Sequence, residues 1–138
     1  MNFRISFFIV LIFTVAGFSS CKKEPGIGGD ATINGHIHVQ HFNSTFTQFI
    51  SEYEGADVYV YLVAGNDQTY LKRIKSDYNG DFEFKYLYKG DYTVYCYSID
   101  STFSNHQSSS SGMIPVIQQI RVVGRKDVIS TDTLNIFN

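Results

Sequence analysis

Gly80-Asp81-Phe82-Glu83-Phe84 and, beyond Leu87, Gly90-Asp91-Tyr92-Thr93-Val94-Tyr95-Cys96 decide the fold of this chain. Phe82, Phe84 and Tyr86 alternate with Glu83 and Lys85, the period of a strand with one buried face. Tyr92, Val94, Cys96 and Ser98 alternate in the same way with Thr93, Tyr95 and Tyr97. Lys89-Gly90-Asp91 turns the chain between the two strands. Ahead of the first, Asn79-Gly80 reads as a hairpin turn in which both residues reach positive φ. Phe82 and Phe84 are expected to fill a core, Leu87 to plug its end, and Tyr92 to re-enter it.

The pattern continues outward from this centre. Ile33, Gly35, Ile37 and Val39 alternate with Asn34, His36, His38 and Gln40, and Ala56, Val58, Val60 and Leu62 alternate with Asp57, Tyr59, Tyr61 and Val63. Residues 70–75 make a shorter strand, and 114–123 and 128–137 supply two more, turned at Gly124-Arg125-Lys126. Residues 42–55 form a polar-aromatic insertion to which the pattern assigns no element. Residues 100–112 form a Ser-rich loop. Seven short strands, each apolar on one face, are stable only as two sheets with those faces pressed together.

The glycine-aromatic-turn-tyrosine series, with Ile33-Asn34-Gly35-His36-Ile37 and Ala56-Asp57-Val58-Tyr59-Val60 ahead of it, resembles the carboxypeptidase regulatory-like and transthyretin-like domains. The resemblance covers nearly all of residues 31–138. It implies an all-β, seven-stranded antiparallel prealbumin-like (Ig-like) β-sandwich, and it does not carry an activity, because one fold hosts many functions.

The N-terminus addresses a different question. Arg4 precedes an almost unbroken apolar run, Phe7 to Phe18, then Ser19-Ser20-Cys21 and Lys22-Lys23-Glu24-Pro25-Gly26. The run is short for a membrane span and suits the core of a secretory signal. Phe18-Ser19-Ser20-Cys21 resembles a bacterial lipobox of the relaxed, Bacteroidota-type lipoprotein form. The expected organisation is a lipoprotein signal peptide over 1–20, an acylated Cys21 and flexible tether over 21–30, and the sandwich over 31–138. Such a chain sits in the cell envelope on the outer membrane, held by palmitate-type acyl groups.

Composition narrows the function. The formal net charge is −2, with 12 Phe and 10 Tyr, so no basic footprint for nucleic acid exists. With Cys21 acylated, Cys96 stands alone, on the face of Val94, as a buried small hydrophobe. His36 and His38 share one strand face and could share a metal, but the sequence displays no further ligands, and the solvent-face reading is adopted. Asp77-x-Asn79-x-Asp81 imitates a calcium loop, yet Gly80 and Tyr88 occupy the wrong places. His106 has no orienting acid and no nucleophile elbow beside it. No metal, no cofactor and no enzymatic activity are expected.

Tyr59 and Tyr61 point away from the core, as do Tyr95 and Tyr97. In the prealbumin-like arrangement their strands are neighbours, so the four rings share one outer face. Two readings follow: a cross-strand ladder that stabilises the sheet, or a contact patch. The expected function is a binding or structural envelope module that docks a protein or a glycan. The alternative is an accessory subunit of a larger envelope assembly with no ligand of its own, and a distant third reading is a metal-dependent or hydrolytic enzyme.

Overall fold

The computed structural model describes residues 24–101 and 112–138. Nine strands, and no helix among the described residues, build two sheets. They are β1 (Ile27–Phe42), β2 (Phe49–Glu54), β3 (Tyr59–Ala64), β4 (Lys72–Lys75), β5 (Asp81–Leu87), β6 (Gly90–Ile99), β7 (Met113–Val122), β8 (Val128–Ser130) and β9 (Leu134–Phe137). One sheet runs β4-β3-β6-β7. The other is organised around β1, which pairs antiparallel with β5 and β2 and parallel with β8 and β9.

The all-β sandwich expected from the sequence is the fold observed. Its apolar face is the one the alternation marks: Ile33, Ile37, Val60, Leu62, Phe84, Leu87 and Val94 are fully buried, with Tyr92 and Cys96 among them. Gly35 has a packing reason. It lies opposite Phe82 in the β1–β5 register, and a β-carbon there would collide with the Phe82 ring and the Thr131 hydroxyl.

The structure departs from the sequence reading at definite points. The strand count is nine because 42–55 contains β2, and because 128–137 breaks at 131–133 into β8 and β9. β2 folds back on β1 through a turn in which the Asn43 carboxamide oxygen accepts from the Thr47 and Gln48 amides. Asn79-Gly80 does not close a hairpin. It carries the chain from β4 in one sheet to β5 in the other, and only Gly80, at φ 82°, has positive φ. The turn is held by the Asp77 carboxylate, which accepts from the Asn79 and Asp81 amides. Tyr86 is exposed rather than core-facing. Between the Ile33–Phe84 and Ala31–Leu87 pairs β5 carries one extra residue, and Tyr86 takes φ 65° in this bulge. Finally, β1 begins at Ile27, inside the stretch read as tether. The Tyr92 hydroxyl accepts from the Gly26 amide at 2.8 Å and donates to the Tyr88 carbonyl at 2.8 Å, so the sandwich grips the chain from Gly26 onward.

One junction brings β5 and β2 together beside the histidines of β1. The Ile37 amide donates to the Gly80 carbonyl and its carbonyl accepts from the Gly55 amide, both at 2.9 Å. In a strand those two groups point to the same side, so β5 and β2 meet end to end along one edge of β1. The seam falls at His36-Ile37-His38. His36 is opposite Asp81 on β5, and His38 is opposite Glu54 on β2.

Candidate functional site

Two side-chain groups stand out, one on the outer face of each sheet. The first is built on β3 and β6. Tyr61 and Tyr95 are register partners, and their rings lie 4.8 Å apart at 9°, a parallel stack. The Tyr97 ring meets both edge-on, at 5.8 Å from Tyr61 and 5.7 Å from Tyr95. Tyr70, just ahead of β4, adds a fourth ring at 5.4 Å from Tyr61. Tyr59 shares the face but stands apart from these four, with the Arg73 guanidinium 4.4 Å and the Lys75 ammonium 5.2 Å from its ring centre. Burial among its neighbours pushes the Tyr95 hydroxyl above its ordinary range, with Tyr97 and Tyr61 adding to the effect.

The face continues onto β7. Tyr95 lies opposite Ile117 and Tyr97 opposite Pro115, and Met113 and Ile117 are exposed. The β2 hairpin is in the other sheet and does not cover it. Of the four tyrosines marked in the sequence, three therefore interlock, the fourth holds two cations, and Tyr70 is the ring that the alternation missed. Tyr70 falls in the stretch read as a strand over 70–75, but β4 begins only at Lys72, so strand alternation does not set where its ring points.

The second group lies at the β5–β2 seam. The His36 Nδ1 is 2.9 Å from Asp81 Oδ1, and its Nε2 is 2.6 Å from Glu54 Oε2. The hydrogen bond to Asp81, reinforced by Glu54, raises the pKa of His36 above its ordinary value, against a smaller opposing effect of burial. His38 Nε2 is 3.3 Å from Glu52 Oε2, and its Nδ1 is 3.8 Å from Glu54 Oε2. His36, His38 and Glu54 each direct one ligating atom into a space no wider than 4.8 Å. Further ligand types therefore do surround the two histidines, contrary to what the sequence displayed. His41 is turned elsewhere and its Nδ1 donates to the Asn138 carbonyl at 2.8 Å. A hollow of about 760 Å³ opens beside His36 and Asp81. Asn34 and Thr131, which also line it, hold buried oxygens with no partner.

No protein-family model matches the chain, and no curated protein matches it in sequence. Among solved structures it is similar to a proposed carbohydrate-binding protein from Pseudomonas aeruginosa, at 14% identity over 90% of this chain and 96% of that one, with a TM-score of 0.46. It is similar to the 5-hydroxyisourate hydrolase of Klebsiella pneumoniae, at 13% identity over 85% and 94% of the two chains, with a TM-score of 0.42. It is also similar to an (S)-allantoin synthase, at 12% identity over 78% of this chain and 42% of that one, with a TM-score of 0.38. These likenesses are of fold. They correct one expectation: two of these three neighbours are named as enzymes, and the expectation of no enzymatic activity is withdrawn.

The remaining candidates resolve simply. Cys96 is fully buried, and burial pushes its thiol up to about 12, far from the range of a reactive thiolate. Cys21, the lipidation site expected from the sequence, lies outside the described residues, as does His106 in the Ser-rich loop.

Proposed function

We propose that this chain is an exported lipoprotein of the bacterial cell envelope whose sandwich is a docking module for a protein partner. In this reading residues 1–20 are a leader, Cys21 carries the acyl chains that hold the protein at the outer membrane, and a few residues separate it from β1 at Ile27. The leader's positive-apolar-small order ahead of Cys21 supports the attachment. Two acyl chains or more give durable membrane residence.

The observation that carries the docking role is the interlocked group of Tyr61, Tyr70, Tyr95 and Tyr97, continuous with exposed Ile117 and Met113. Tyrosine, methionine and arginine are the residues enriched at the centres of protein interfaces. A sugar ring packs on an open aromatic face. Here Tyr61 and Tyr95 cover one another's faces and Arg73 lies over Tyr59, which favours a protein over a glycan. Arg73 and Lys75 at one border suit a partner with acidic groups around its apolar centre. Membership of a larger envelope assembly is the same proposal with a permanent partner.

Two experiments test it. Mature protein from membranes should weigh the mass of the chain from Cys21 plus acyl groups, and Cys21→Ser should release it from the membrane; a chain with its leader intact, or with Cys21 unmodified, contradicts the attachment. For docking, affinity capture from detergent-solubilised envelope should yield a protein that Tyr97→Ser with Ile117→Ser loses. A glycan that binds wild type and survives as the sole interactor would favour sugar over protein.

A further inference from the structure

We propose that His36, His38 and Glu54 bind a single divalent cation of borderline softness, Zn²⁺ above all, on the outer face of the five-stranded sheet. This site is on the sheet opposite the tyrosines and stands independently of the docking reading. Two imidazoles and one carboxylate are a ligand set that zinc accepts, with a fourth position left open for water or another donor. Zn–N and Zn–O bonds of about 2.0–2.2 Å in a tetrahedron place neighbouring ligand atoms roughly 3.3 Å apart. The three donors lie within 4.8 Å, with Glu54 Oε2 2.6 Å from His36 and 3.8 Å from His38, so side-chain adjustment suffices.

The surroundings fit the same assignment. Each imidazole has one nitrogen turned to Glu54 and the other held by a different carboxylate. Asp81 receives the Nδ1 hydrogen of His36, and Glu52 that of His38 Nε2. Such outer carboxylates fix the tautomer and strengthen the ligand. On binding, the ion replaces the proton that His36 Nε2 shares with Glu54, and that proton leaves to solvent. The scaffold beneath is rigid: Ile37, between the two histidines, is fully buried and bonded to Gly80 and Gly55. Asp81, Glu83 and Glu52 add further carboxylates to this surface; Lys85 pairs with Glu83, and Lys75, which lines the hollow beside His36, pairs with Asp57.

The test is calorimetric titration of ZnCl₂ into the mature full chain in detergent, with MgCl₂ as control. One Zn²⁺ should bind per chain and Mg²⁺ should not. His36→Gln and His38→Gln should each weaken Zn²⁺ at least tenfold, and Asp81→Asn, which keeps all three ligands, by about 10–100-fold. Zn²⁺ binding unchanged in the double variant His36→Gln, His38→Gln, or absent from wild type, overturns the site. Co²⁺ needs no variant: the wild-type chain should develop the visible absorption of a protein-ligated, four- or five-coordinate ion, and a spectrum identical to aqueous Co²⁺ contradicts the proposal.

Discussion

Tyr61 and Tyr95 face each other across β3 and β6 with ring centres 4.8 Å apart and planes within 9°. The pair stands on the outer surface of the sheet whose inner surface carries fully buried Val60, Leu62 and Val94. One alternation thus generates both the core and the aromatic face. The stack is a structural element and a platform together: its two rings hold each other, and Tyr97 and Tyr70 close around them.

The structural part of that role is measurable. A double-mutant cycle of Tyr61→Ala and Tyr95→Ala, read by urea unfolding, should give a coupling of about 0.5–1.5 kcal/mol. Additive losses would show that the rings touch without holding the strands together.

Phe84 is fully buried against its T-shaped neighbour Phe82, 6.0 Å between ring centres. Phe84→Ala should cost about 3–5 kcal/mol, through lost burial and the cavity left behind. A melting temperature near that of wild type would refute its place at the centre.

Cys96 has no exposed surface and a thiol pushed up to about 12. An alkylating reagent at pH 8 should label it in denaturant and leave the native protein unlabelled, as read by intact mass. Rapid native labelling would mean that β6 opens readily.

His36 gives the fold a pH dependence. Its folded pKa is raised above the ordinary 6.5, chiefly by Asp81, so the folded state holds the proton more tightly than the unfolded chain. The stabilisation is full below 6.5 and disappears as pH rises through the raised value. With a chelator present, unfolding should therefore be harder at pH 6 than at pH 8, and His36→Gln should flatten that difference. A difference of the same size in the variant would assign it to other groups.

How much of this was legible depends on the range of each interaction. Ile37, Val60, Phe84 and Val94 were marked as core by period-two alternation, a local signal, and all four are fully buried. The neighbourhood of Tyr61 and Tyr95 followed from the resemblance to a strand order. Asn79-Gly80 misled because a turn residue pair specifies local φ and says nothing of whether the next strand joins the same sheet. Tyr86 misled because one inserted residue reverses the facing of a strand. β2 was invisible since its side chains are exposed on both faces, leaving no alternation to read. Glu54 and Asp81 were equally hidden. They reach His36 only because β2 and β5 abut along β1, a register set by pairings 18 and 45 residues apart in sequence.

The most direct test of the central claim is site-specific photocrosslinking in the native envelope. A benzophenone side chain replacing Tyr97, on the tyrosine face, should give one discrete crosslinked protein species, and the same group replacing Glu83, on the opposite sheet, should not. Equal crosslinking from both positions, or a discrete product from Glu83 alone, would contradict the assignment of the tyrosine face as the docking surface.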